Sequence, residues 1–182
     1  MSTRKVVVAG VAAFAFGAGV ALAETPHLGK PVSPSDLTAW DINVLPDGSN
    51  LPPGSGKPAE GQKIYAEKCA ACHGDSGQGG LAARVIGGPP KATLDGGKGI
   101  ANYYPYATTV FDFIRRSMPW NAPRTLTDQE VYALTAYLLA ANKLIPEDEE
   151  MNASTLPKVK MPNRDNFIIK FPDKICDRCS PH

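Results

Sequence analysis

The chain has 182 residues, 43% of them hydrophobic, and its 19 basic and 18 acidic side chains leave it close to charge balance. That length is one domain's worth. With no basic stripe and no recognition motif, a nucleic-acid-binding role is excluded.

Arg4 and Lys5 precede an apolar run from Val6 to Val20, and Ala21-Leu22-Ala23 forms a small-x-small site before Glu24. This is the pattern of a secretory signal peptide over residues 1–23, cleaved after Ala23. An uncleaved anchor is the alternative, because Val6 to Ala23 approaches the ~20 apolar residues of a membrane span. Cleavage removes two basic residues and no acidic one, so the formal charge falls from +1 to −1. The expected location is the periplasm, with no membrane span in the mature chain. Residues 24–58 carry seven prolines and turn signals such as Pro46-Asp47-Gly48 and Pro52-Pro53-Gly54, which predicts an extended arm. Leu37, Trp40, Ile42 and Val44 are its apolar anchors.

The strongly periodic part follows, over residues 59–145. A first helix is expected from about Glu60 into Cys69, with Gly61, Ile64, Tyr65 and Lys68 at helical spacing. It delivers Cys69-Ala70-Ala71-Cys72-His73, the C-x-x-C-H spacing of covalent haem attachment. Cys69 and Cys72 can each form a thioether to a haem vinyl group, and the His73 imidazole can ligate the iron. Cys176-Asp177-Arg178-Cys179 supplies a second C-x-x-C, so a redox pair or half of a zinc site must be weighed. Zinc modules usually separate their pairs by ~15–20 residues, whereas more than a hundred residues separate these two, and no βαβ pattern surrounds the first. A second C-x-x-C-H is absent, so the expectation is one haem c.

Residues 74–99, rich in glycine and proline, read as loop around the haem. A second helix begins near Thr109 and stops near Ser117, with Phe113, Ile114 and Val110 as its inward stripe. Thr127-Asp128-Gln129-Glu130 is a capping box. It opens an amphipathic helix with Val131, Leu134, Leu138 and Ala141 on one face, Tyr137 alongside, running out near Leu144 before Pro146. Residues 146–182 form a second arm, with the acidic run Glu147-Asp148-Glu149-Glu150 and apolar anchors Phe167, Ile168, Ile169 and Phe171. In an oxidising compartment Cys176 and Cys179 are expected as a local disulfide or a free pair, with an intermolecular disulfide or a tail-end metal site as the alternative. A degenerate haem site there would have Ser180 in place of histidine. His27 and His182 read as solvated.

From Ala59 to Leu144 these residues resemble the class I cytochrome c family, an all-α fold, here with extended N- and C-terminal arms. The resemblance implies that the first helix crosses the last at small residues, with Gly61 and Tyr65 against the Ala133 to Tyr137 face. It also implies a methionine on the loop before the last helix as second axial ligand, and Met118 is in that place. Met151 and Met161 lie beyond the last helix and read as packing of the arm. The free ring nitrogen of His73 would bond a backbone carbonyl in a proline-containing loop, a position for Pro89 or Pro90. With His73 and Met118 both on iron there would be no vacant coordination position, which suits one-electron transfer and gives the chain no catalytic site of its own.

A narrower resemblance includes the arms. Trp40-Asp41-Ile42, Leu51-Pro52-Pro53-Gly54-Ser55-Gly56, Tyr104-Pro105-Tyr106-Ala107-Thr108-Thr109, Arg115-Arg116-Ser117-Met118-Pro119 and Lys160-Met161-Pro162-Asn163-Arg164-Asp165 are similar to cytochrome subunits, SoxD-like, of the sulfane and sulfite dehydrogenases of bacterial sulfur oxidation. The resemblance implies a molybdenum-cofactor dehydrogenase as electron donor and a downstream cytochrome as acceptor. Trp120, two residues after Met118, would then sit beside the exposed side of the haem, and Arg115 and Arg116 are candidates for propionate or partner contacts, with a solvated helix end as the alternative. A free-standing electron shuttle and a haem enzyme acting on sulfur compounds are the other classes.

Overall fold

The computed structural model describes residues 29–88 and 98–167. The signal segment 1–23, His27, Pro89, Pro90, Ile168, Ile169, Phe171, Cys176, Cys179 and His182 lie outside the described residues. The chain forms two compact units, Met1–Trp40 and Asp41–His182. The first contains one helical turn, α1 (Pro34–Leu37), in which Ser33 and Asp36 cap each other's backbone N–H groups.

The second unit is built around three longer helices. A two-residue strand, β1 (Ser55–Gly56), leads into α2 (Pro58–Lys68). Pro58 at the first helical position lacks only an N–H that would be unpaired there, and the Lys57 N–H donates to the Glu60 carboxylate. After one further turn, α3 (Ala70–His73), and a glycine-rich loop come α4 (Ile100–Tyr103) and α5 (Ala107–Ser117). The last helix, α6 (Asp128–Ala141), starts at the expected capping box. Thr127 Oγ1 accepts from the Glu130 N–H at 3.2 Å, and Glu130 Oε2 accepts from the Thr127 N–H at 2.8 Å. The helix stops at a Schellman motif. Lys143 adopts φ +62° and donates to the Ala140 carbonyl, while the Leu144 N–H reaches back to Leu139. Strand β2 (Met151–Asn152) then pairs antiparallel with β1, Ser55 opposite Asn152 and Gly56 opposite Met151.

The crossing of α2 and α6 is where the sequence expectation meets the structure most closely. A Cβ placed on Gly61 would fall inside the Ala133 carbonyl, and one on Gly56 would overlap the Ala133 backbone. Only glycine lets the two backbones come together there. One turn on, the Tyr65 and Tyr137 rings lie 5.3 Å apart.

Two expectations about helix faces are corrected. α6 is not amphipathic: Val131 through Ala136 and Leu138 through Ala140 are all buried. The reason is that α2, α5, β1 and β2 all pack on it, so the arms supply the cover that would otherwise be solvent. In α5 the inward stripe is Ala107, Val110, Phe111 and Ile114, whereas Phe113 points outward. Phe111 takes the inner place because its ring meets Tyr132 of α6 at 4.5 Å.

The arms are part of the core from Asp41 onward. Val44, Met151, Leu156 and Met161 are buried in the same cluster as Phe111, Leu134 and Leu139. Met151 and Met161 are thus packing residues, as their sequence positions suggest. Arg115 and Arg116 depart from the expectation. Arg115 pairs with Asp128 at 2.9 Å and donates to the Ile42 carbonyl, and Arg116 bonds Asn43 at 2.8 Å and pairs with Asp112. Both guanidinium groups fasten the N-terminal arm to α5.

Candidate functional site

Cys69, Cys72 and His73 stand together because α2 ends and α3 begins at Cys69. Cys69 is the C-cap of α2, its N–H donating to Tyr65, and its carbonyl accepts from both Cys72 and His73. The turn closes at Gly74 with φ +83°, a conformation that favours glycine. Tyr65 secures the turn from below, its hydroxyl donating to the Gly74 carbonyl at 2.8 Å. Burial, reinforced by Cys69, Tyr137 and Asp75, pushes that phenol up to about 12, so it is a proton donor at all physiological pH.

The two thiols are unpaired. Cys69 is half-buried, and burial pushes its thiol up to about 11 against the opposing charge of Lys68. Cys72 is exposed. They are separated in environment as well as in sequence, one against the core and one facing outward.

His73 is oriented by the loop that follows it. Its Nδ1 lies 2.6 Å from the Ala83 carbonyl oxygen. That bond leaves Nε2 as the nitrogen with a lone pair to give. The acceptor is therefore Ala83, six or more residues earlier than the Pro89 or Pro90 expected from sequence. The loop turns back sooner because the Ala82 N–H bonds the Cys72 carbonyl at 2.8 Å, which carries Ala83 past the imidazole.

Met118 is not on this turn. It caps the C-terminus of α5, its N–H donating to Ile114, and its half-buried side chain packs against the same apolar cluster that borders Cys69 and Ala70. A cleft of about 320 Å³ sits at the far end of α6, lined by Gly87, Ala101, Asn102, Asn142, Leu144 and Pro162, and none of the four expected site residues lines it. The donor set fits haem c: two free thiols one turn apart, an imidazole with Nδ1 engaged and Nε2 free, and a thioether on a separate loop. Leu81, 91% exposed beside the motif loop, and the outward Phe113 are apolar side chains left open to solvent.

Sequence reasoning missed Ala83 and Asn142, both of which act through backbone and carboxamide bonds to the loop after the motif. An alanine carries no signal of its own. The asparagine had one, as a polar residue at the end of an apolar helix.

The comparisons agree with this chemistry. The cytochrome c family model matches residues 58–142. A chain of the crystal structure of the sulfane dehydrogenase SoxCD from Paracoccus pantotrophus superposes with a TM-score of 0.74 at 35% identity, over 87% of this chain and 84% of that one. The chain belongs to the cytochrome c family, and membership brings a covalently bound haem c. It is an electron-transfer cytochrome related to proteins of sulfur-compound oxidation. The thiosulfate dehydrogenase of Stutzerimonas stutzeri is 32% identical over 106 residues, 57% of this chain and 33% of its own length. That of Psychrobacter arcticus is 32% identical over 83 residues, 42% of this chain and 24% of its own length. The chain thus spans a third or less of these curated relatives. Among the described residues no helix is long and apolar enough to cross a membrane.

Proposed function

We propose that this chain is a periplasmic monohaem cytochrome that serves as electron-transfer subunit to a molybdenum-containing sulfane or sulfite dehydrogenase and passes electrons to a downstream cytochrome. Residues 1–23 are its signal peptide, and 24–58 and 146–182 are arms flanking the cytochrome domain at 59–145. The observation that carries the reading is the extent of the likeness to the SoxCD chain: 87% of this chain, well beyond the residues 58–142 that the cytochrome c family model matches. The arms are structural, with Val44, Met151, Leu156 and Met161 built into the core.

In this reading Cys69 and Cys72 would hold the haem through thioethers, and His73 and Met118 would ligate its iron. The bound haem supplies a one-electron ferric/ferrous couple. The protein's own work is to fix that couple in place. Ala83 holds the His73 ring in one orientation and keeps the Nδ1 proton on it. Tyr65 ties the motif turn to α2. Met118, at the end of a helix whose Phe111 and Ile114 are buried, would hold the iron through its thioether and leave no open position for substrate. With Arg115 and Arg116 engaged by residues 42–43, the arms and the Met118 to Pro123 loop, where Trp120 is 82% exposed, offer the contact surface. Exposed aromatics of this kind are frequent anchors of an interface core.

Copurification tests the proposal. Tagged holoprotein from cells oxidising sulfur compounds should recover a molybdenum dehydrogenase, and Trp120→Ala should weaken the association by about 2 kcal/mol with the haem spectrum unchanged. A haemoprotein recovered alone would favour the free shuttle. The relatives named thiosulfate dehydrogenase favour one second reading, a haem enzyme acting directly on sulfur compounds. That reading requires an open or labile axial position, so firm Met118 ligation would exclude it.

A further inference from the structure

We propose that Asn142 is a positioning residue for the axial histidine: its carboxamide, at the C-cap of α6, clamps the loop whose Ala83 carbonyl accepts from His73, and thereby tunes how strongly that imidazole donates to iron. The inference rests on the reading of His73 as ligand and adds a residue to it.

The geometry is specific. Asn142 Nδ2 donates to the Val85 carbonyl at 2.9 Å, and Asn142 Oδ1 accepts from the Gly87 N–H at 2.9 Å. One planar amide thus satisfies an acceptor and a donor two residues apart, as a neighbouring strand would. Nδ2 also donates to the Leu138 carbonyl at 2.8 Å, which fixes the side chain to its own helix. The αL residue Lys143 ends the helix immediately afterwards, so Asn142 occupies the last helical turn with its side chain committed to the loop.

The loop has two sets of anchors, which meet at Val85, two residues after Ala83. On one side the Ala82 N–H bonds Cys72, and the Val85 and Ile86 N–H groups both bond the Gly77 carbonyl. Those partners all belong to the motif turn and the hairpin just after it. Asn142 is the anchor on a different element, the fully packed α6. Without it the loop keeps its bonds to the motif hairpin and the packing of Val85 and Ile86 against the core, but it loses the directional hydrogen bonds that hold Val85 to Gly87 at a fixed distance from α6, and with them part of what places Ala83. A hydrogen bond from Nδ1 raises the basicity of the ligating imidazole, and partners of this kind commonly change metal-site properties when removed. Weakening it lowers donation to ferric iron, so the ferrous form gains and the reduction potential rises.

The test is Asn142→Leu, close in shape and unable to make either bond, in the full-length holoprotein. Redox titration should show the ferrous-to-ferric ratio at fixed ambient potential rising roughly threefold or more. The hyperfine-shifted His Nδ1 proton of the ferric protein should exchange faster with solvent. Asn142→Ser, polar but too short to span both groups, replaces it if the leucine variant does not fold. Tyr132→Phe, which loses only the bond to the Pro52 carbonyl, controls for general loss of stability and should move neither readout. An Asn142 variant that is less stable yet keeps the wild-type potential and Nδ1 proton exchange would overturn the proposal. Absence of an axial-histidine Nδ1 signal from wild type itself would instead remove the His73 reading beneath it, and the proposal with it.

Discussion

Val44 donates its backbone N–H to the Asp112 carboxylate at 3.1 Å, across 68 residues of chain, and Arg116 pairs with the other oxygen of the same group at 2.9 Å. A buried acid on α5 is thereby the point at which the N-terminal arm is joined to the helix that leads to Met118.

Asp112→Ala should therefore loosen the arm and not only remove an ion pair. It leaves a buried N–H without an acceptor, and the expected loss is about 1–3 kcal/mol. Urea unfolding measures it. Arg116→Ala, at a half-exposed end of the same pair, should cost under about 1 kcal/mol. Equal losses for the two would show that the bond from the Val44 N–H contributes nothing beyond what Arg116 already holds through Asp112 and Asn43.

Gly61→Ala places a methyl group against the Ala133 backbone, where no flexible side chain can move aside. The helices must separate, at a cost of about 3 kcal/mol, and thermal unfolding of the holoprotein should show it. A variant as stable as wild type would mean that α2 and α6 do not approach as closely as described.

Much of this was legible in the sequence. The capping box fixed the start of α6 because Thr127 and Glu130 bond each other whatever surrounds them. Gly61 and Tyr65 identified the crossing through the family resemblance, and the motif named its own turn. What failed depended on partners distant in sequence. Phe113 was placed inward because periodicity alone cannot choose between it and its neighbour Phe111, and only Tyr132 decides. α6 read as amphipathic because the residues that cover its outer face come from the arms. Arg115 and Arg116 read as propionate or partner contacts because Ile42, Asn43 and Asp112 could not be placed beside them. The Ala83 carbonyl had no signature at all.

Acid stability should depend on Glu130. The hydrogen bond from Lys68 is the largest cause holding its carboxyl below the ordinary value of 4.5, followed by the Thr127 N–H. A depressed acid contributes stability that is present above about pH 4.5 and is lost as pH falls through the lower folded value. Glu130→Gln should thus flatten the acid limb of the stability profile below pH 4.5 and change it little from neutral pH upward in slope. Both partners are partly exposed, so added salt should shrink the difference. Denaturant unfolding across the acid range checks it, and parallel profiles for the two proteins would contradict it.

Cys69→Ala or Cys72→Ala should weaken or abolish covalent attachment. Met118→Ala should leave the haem attached, remove the ferric methionine-to-iron charge-transfer band and open the iron to added imidazole or cyanide. Mass spectrometry reads the first effect and absorption spectroscopy the second. A charge-transfer band that survives Met118→Ala would place the second ligand elsewhere. Deleting residues 146–182 is no substitute for such point variants, because Met151, Leu156 and Met161 fill the core.

The most direct test of the central claim is stopped-flow reduction of the ferric haem by a sulfur substrate, with and without the purified molybdenum dehydrogenase. Substrate alone should cause no reduction, and addition of the dehydrogenase should deliver one electron per chain. Reduction and turnover by the chain alone, or a haem that stays ferric with both enzyme and substrate present, would contradict it.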